Sequence, residues 1–80
     1  MNGASAGLRA RCNQLSRSLV QCWNRRTAVE HELESPHLTA ARGAYLTTRR
    51  QELCEEQDRL EVQMTRAAAA LVGAEIESAA

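Results

Sequence analysis

Leu33-Glu34-Ser35-Pro36-His37-Leu38-Thr39 decides the fold of this chain. Proline has no amide hydrogen and cannot continue a helix from the preceding turn. It also pushes the residue before it, Ser35, out of the helical region. The same residues carry a start signal. Ser35 as N-cap with Pro36 at the first helical position is one candidate, and Thr39 is a second. Either choice leaves residues 35–38 as a connection short enough to join two antiparallel helices.

Upstream of this break, Leu8, Cys12, Leu15, Leu19, Cys22, Arg26, Val29 and Leu33 recur at alternating steps of four and three. That spacing is a heptad seam and predicts a helix over residues 8–34. Gly3, Ala4, Ser5, Ala6 and Gly7 precede it, and residues 1–7 read as a flexible N-terminus. Arg26 is the one polar interruption. At such a position an arginine either fixes the register of the two helices or, near a helix end, carries its charge out to water on its long stem.

Downstream, Leu46, Leu53, Leu60, Ala67 and Ala74 repeat every seven residues. Met64 and Leu71 fill the companion positions, as do Arg50 and Gln57. The pattern predicts a second helix over residues 39–77, about 58 Å long at 1.5 Å per residue. Gly43 weakens its start by about 1 kcal/mol relative to Ala. The fold class that follows is all-α. It is an antiparallel helical hairpin of coiled-coil type, one domain, with the second helix longer than the first.

Composition agrees with a narrow seam rather than a globular core. Among 80 residues there is no Phe, one Trp and one Tyr. Aromatic side chains supply the largest single contributions to compact cores, and small chains bury little surface on folding. Charge patterning supports the hairpin as well. Residues 1–29 hold five Arg and no acid, while Glu52, Glu55, Glu56, Asp58 and Glu61 cluster in the second helix. Folding the chain at residues 35–38 sets Arg17 opposite Glu56, Arg9 and Arg11 near Glu61, and Glu30 and Glu32 near Arg42. Flanking charges of this kind set orientation in coiled coils, although each exposed pair contributes only about 0–1 kcal/mol.

The unequal lengths have a functional consequence. Counted from the turn, Leu8 falls near Thr65, and residues 66–76 extend past the first helix as an apolar overhang. Uncovered apolar surface marks an interaction site. The residues expected to meet a protein partner are Met64, Ala67, Leu71, Val72, Ala74 and Ile76, with Trp23 as a further anchor because Trp is enriched at binding hot spots.

Other functions lack their residues. Net charge is +0 from ten Arg and ten acids, against the basic excess of a nucleic-acid binder and against an electrostatic membrane binder. The longest apolar run, residues 67–74, is far short of the roughly 20 residues that span a bilayer. Cys22, Cys54, His31 and His37 show no metal-ligand spacing, so no metal or other cofactor is expected. There is no phosphate-binding glycine loop, and a two-helix hairpin offers no pocket around a nucleophile, so no enzyme is expected. Cys12, Cys22 and Cys54 form no paired framework and read as free thiols of a reducing intracellular compartment, cytoplasm or nucleus. The acid-free, Arg- and Ser-containing residues 1–29 also have the composition of a mitochondrial presequence. A sustained heptad is something such a leader does not need.

The expected function is therefore a non-enzymatic protein–protein interaction module. It would be a small coiled-coil subunit or adaptor (a scaffold element) of a larger multiprotein complex, with a hetero-oligomer favoured over a homo-oligomer. Two alternatives share the architecture: a small helical chaperone that shields a partner helix, and a self-assembling homo-oligomeric bundle.

Overall fold

The computed structural model describes residues 3–79. It consists of two helices, α1 (Gly3–Leu33) and α2 (Ala40–Ala79), packed side by side as an extended antiparallel hairpin. Its extents are 61 × 14 × 14 Å. The long dimension is that of α2 itself, whose 40 residues at 1.5 Å each measure about 60 Å.

The turn is built from the residues that decide it. Helix α1 closes with tightened i→i−3 bonds, the Glu34 amide donating to the His31 carbonyl (3.2 Å) and the Ser35 amide to that of Glu32 (3.1 Å). The Ser35 hydroxyl accepts the His37 amide (3.3 Å), and the Leu38 amide reaches the Ser35 carbonyl (3.4 Å). Of the two candidate caps, Thr39 starts α2. Its Oγ1 accepts the Arg42 amide (3.2 Å), as an N-cap does. Ser35 instead organises the turn. Leu38, just before the cap, folds over the first turn of α2, and a Cβ on Gly43 would lie 3.3 Å from Leu38 Cδ2. Gly43 thus gives up helix propensity and makes room for the leucine that closes this end.

The seam follows the sequence periodicity closely. On α1, Cys12, Leu15 and Cys22 are buried, and Leu8, Leu19, Arg26, Val29 and Leu33 are half-buried. On α2, Leu46 and Leu53 are buried, and Gln57, Leu60, Met64, Ala67, Leu71 and Ala74 are half-buried. Leu53 is 0 % exposed, and the Cys22 thiol donates to its carbonyl at 3.3 Å. Burial pushes the Cys22 thiol up, with the Glu56 carboxylate adding to the effect. This sulfur therefore stays a neutral, small apolar group.

Three expectations change. Helix α1 begins at Gly3, so residues 3–7 are helical where a flexible segment was expected; Met1 and Asn2, the rest of that segment, lie outside the described residues. The seam continues into this added turn, because half-buried Ser5 stands three residues before Leu8. The companion position of α2 is taken by half-buried Arg49, not by Arg50, which is exposed. Residues 66–76 are not a wholly uncovered overhang, since Ala67, Leu71 and Ala74 are half-buried, and Arg9 reaches Glu75 in an ion pair. The added turn of α1 leaves roughly the last two turns of α2 beyond its end, from 31 against 40 residues.

The expected charge register holds near the turn and slips away from it. Glu32 meets Arg42 through both carboxylate oxygens (2.5 and 3.0 Å). Glu30 bonds Arg26 instead, Arg11 bonds Gln63 and Gln14, and Arg17 forms no ion pair with Glu56 among the described residues. Side chains on each helix lean toward that helix's own N-terminus. In an antiparallel pair the two leans oppose, so long side chains meet partners displaced along α2, which counting by residue number ignores.

Candidate interaction surface

Arg26 and Gln57, polar residues at facing positions of the seam, find each other. Arg26 Nη1 donates to Gln57 Oε1 at 3.0 Å while its Nε donates to Glu30 Oε1 at 3.0 Å. Gln57 Nε2 then donates to Glu61 Oε1 at 3.0 Å. The resulting Glu30–Arg26–Gln57–Glu61 chain crosses the seam once. A one-turn slip would separate Arg26 from Gln57, so the arginine acts across the helices and does not simply reach out to water. Its charged form is favoured first by the hydrogen bond to Glu30.

What the hairpin does not bury is more telling. Among the described residues five form the buried core, whereas Val20, Trp23, Tyr45, Val62, Val72 and Ile76 are half exposed or nearly so. Tyr45 has a local role, because the Arg42 guanidinium stands 5.1 Å from its ring centroid. That stack extends the Glu32–Arg42 clasp across the turn. The other five have no such use.

The seven expected partner-binding residues divide into two sets. Met64, Ala67, Leu71 and Ala74 are half-buried seam residues. Trp23, Val72 and Ile76 stand out at 58 %, 55 % and 65 % exposure. Trp23 and Val20, one turn apart on α1, border an open depression of about 280 Å³ with Leu19, Gln57 and Glu61. Val20 and Val62 escaped the sequence reading. Val62, Thr65, Ala69, Val72 and Ile76 are all exposed and follow steps of three and four, a second heptad phase on α2 offset from the seam. That second phase was the available signal. Near its start, Asp58, Glu61, Val62, Thr65 and Arg66 surround a further open depression of about 440 Å³.

Chemistry-bearing groups are not assembled here. Among the described residues no three His, Cys, Asp or Glu side chains stand close enough to hold a metal ion. Cys12 and Cys22 are buried and Cys54 is half-buried, all three as free thiols, while His31 and His37 lie exposed toward the turn. No described helix is long and apolar enough to cross a membrane. No protein-family model, curated protein or solved structure matches the chain.

Proposed function

We propose that this chain is a non-enzymatic interaction module, a small coiled-coil subunit or adaptor of a larger multiprotein complex in a reducing intracellular compartment. The carrying observation is the distribution of its large apolar side chains. The only Trp and four aliphatic residues stay outside a hairpin whose buried core, among the described residues, is five side chains. Leaving such groups in water forgoes about 25 cal/mol for each Å² that a partner would cover. A thin core and a well-populated apolar surface are what a component completed by another protein presents. A partner of different sequence docks on the Trp23–Val20 side, and the C-terminal half of α2, where Val72 and Ile76 stand out, is a second contact surface. Free thiols in a chain with three cysteines support the compartment.

The test is affinity capture of the tagged full-length chain from its native cells at low and high salt. A stoichiometric partner retained at high salt, and lost from the Trp23→Ala variant, is the expected result. Capture that fades with salt, or that Trp23→Ala leaves unchanged, would rule out an apolar docking surface at this place.

A further inference from the structure

We propose that the outer face of α2 packs in parallel against the same face of a second copy of this chain. The proposal rests on the interaction-module reading and names the occupant of one part of that surface. Trp23 and Val20 stay available to a different protein.

The face is the stripe Val62, Thr65, Ala69, Val72 and Ile76, exposed throughout. At seven residues per two turns it lies about 150° around α2 from the α1–α2 seam. Two hairpins can therefore join through it with both α1 helices on the outside. Thr65 suits this place, because its hydroxyl donates to the Glu61 carbonyl at 2.9 Å and needs no other acceptor. With Ala69 it keeps the middle of the stripe small, so two helices can approach closely. Continued toward the turn, the same phase meets Asp58 and then Glu55. Those charges end the apolar contact, which runs from residue 62 to residue 76.

The rims of the stripe select the occupant. Glu61 borders one edge and Arg66 the other, and both line the depression around Val62 and Thr65. In a parallel two-stranded pair, a flanking residue faces the residue five further along the other helix, on its opposite flank. Glu61 of each copy then faces Arg66 of the other, twice by the two-fold symmetry. An antiparallel pair centred on Ala68 would set Glu61 against Glu75 of the other copy, again twice, with like charges opposed. Arg66 has no ion-pair partner among the described residues, and the Glu61 carboxylate there accepts only a neutral amide from Gln57. The pattern is complementary to itself in one orientation only.

Sedimentation equilibrium of the full chain over a range of concentrations, at low salt, tests this. A reversible dimer is expected. Glu61→Arg alone and Arg66→Glu alone each turn two attractions into two repulsions and weaken the dimer about ten-fold. An equimolar mixture of the two single variants restores opposite charges and regains the dimer as a mixed species. Val72→Asp, at an exposed site, abolishes the dimer and leaves far-ultraviolet helicity unchanged. Tightening by Glu61→Arg would mean antiparallel packing and would overturn the proposal. So would a monomer up to about 1 mM, or a dimer that none of these variants weakens. A monomer that still captures a different protein would sink this proposal alone and leave the interaction-module reading standing.

Discussion

Replacing Leu53 by Ala removes three carbon atoms from the most enclosed position of the hairpin, where the side chain is 0 % exposed. At about 0.8 kcal/mol per carbon the transfer term alone is about 2.4 kcal/mol. A cavity term adds to it, and buried Leu→Ala changes in compact cores cost about 2–5 kcal/mol. The seam here is one side chain deep and open on both flanks, so the two helices can close part of the gap. The expected loss is therefore about 3 kcal/mol, toward the low end. For a chain of 80 residues, total stability of roughly 4–12 kcal/mol follows from typical per-residue values, so the variant forfeits a large share. Urea unfolding followed by helical circular dichroism reads this as a fall in midpoint at unchanged slope. The titration is run dilute enough that association does not contribute. Arg50→Ala, at an exposed position, is the control and should stay within about 0.5 kcal/mol. A loss below about 1 kcal/mol for Leu53→Ala would refute the assignment of the seam as what holds the hairpin together.

The two helical glycines of α2 should respond differently. Gly73→Ala meets nothing within 4 Å and gains helix propensity, raising stability by up to about 1 kcal/mol. Gly43→Ala makes the same gain but pushes against Leu38, so its thermal midpoint should rise less than that of Gly73→Ala. Acid should loosen the turn. The hydrogen bonds from Arg42 hold the Glu32 carboxyl below the usual glutamate range. A depressed folded-state pKa gives stability that is present above the unfolded value, about 4.3, and is lost as pH falls through the folded one. Carboxyl NMR titration should place the Glu32 midpoint below about 4.3, and Arg42→Ala should return it toward that value. Thiol labelling should modify half-buried Cys54 before buried Cys12 and Cys22. Cys22 should be slow even in mild alkali, because burial raises its thiol above the ordinary range.

The hairpin was legible because two strong local signals agree. Pro36 forbids one continuous helix, and the heptads on either side of it place the same residues in the seam that the structure buries, from Cys12 and Leu15 to Leu46 and Leu53. The cap was legible only as a choice, since Ser35 and Thr39 both carry a suitable hydroxyl. Position relative to Leu38 and Gly43 decides it, and that is a property of the folded turn. Ion pairs were read less well. Arg9 pairs with Glu75 and not with Glu61, because long side chains lean along their helices. The extra helical turn at residues 3–7 went unread for another reason. Glycine and serine are weak helix formers, yet Ser5 continues the seam on a helix already nucleated beyond it. That turn narrows the overhang, so Leu71 and Ala74 share in the hairpin while Val72 and Ile76 face away. The heptad phase that fills the seam masks the second phase carried by the same helix. Val62 and Thr65 lie on that second phase, beside the charged pair Glu61 and Arg66.

The most direct measurement of the central claim is the size of the native assembly that contains this chain. Sedimentation of a native-cell extract should find the wild-type chain in a species well above the mass of two copies at 8.8 kDa each. Trp23→Ala, which removes the largest exposed apolar side chain and a typical anchor for binding, should return it to a species of its own copies alone. A wild-type chain that sediments at the mass of one or two copies, with Trp23→Ala indistinguishable from it, would contradict the account of the protein as a component completed by another.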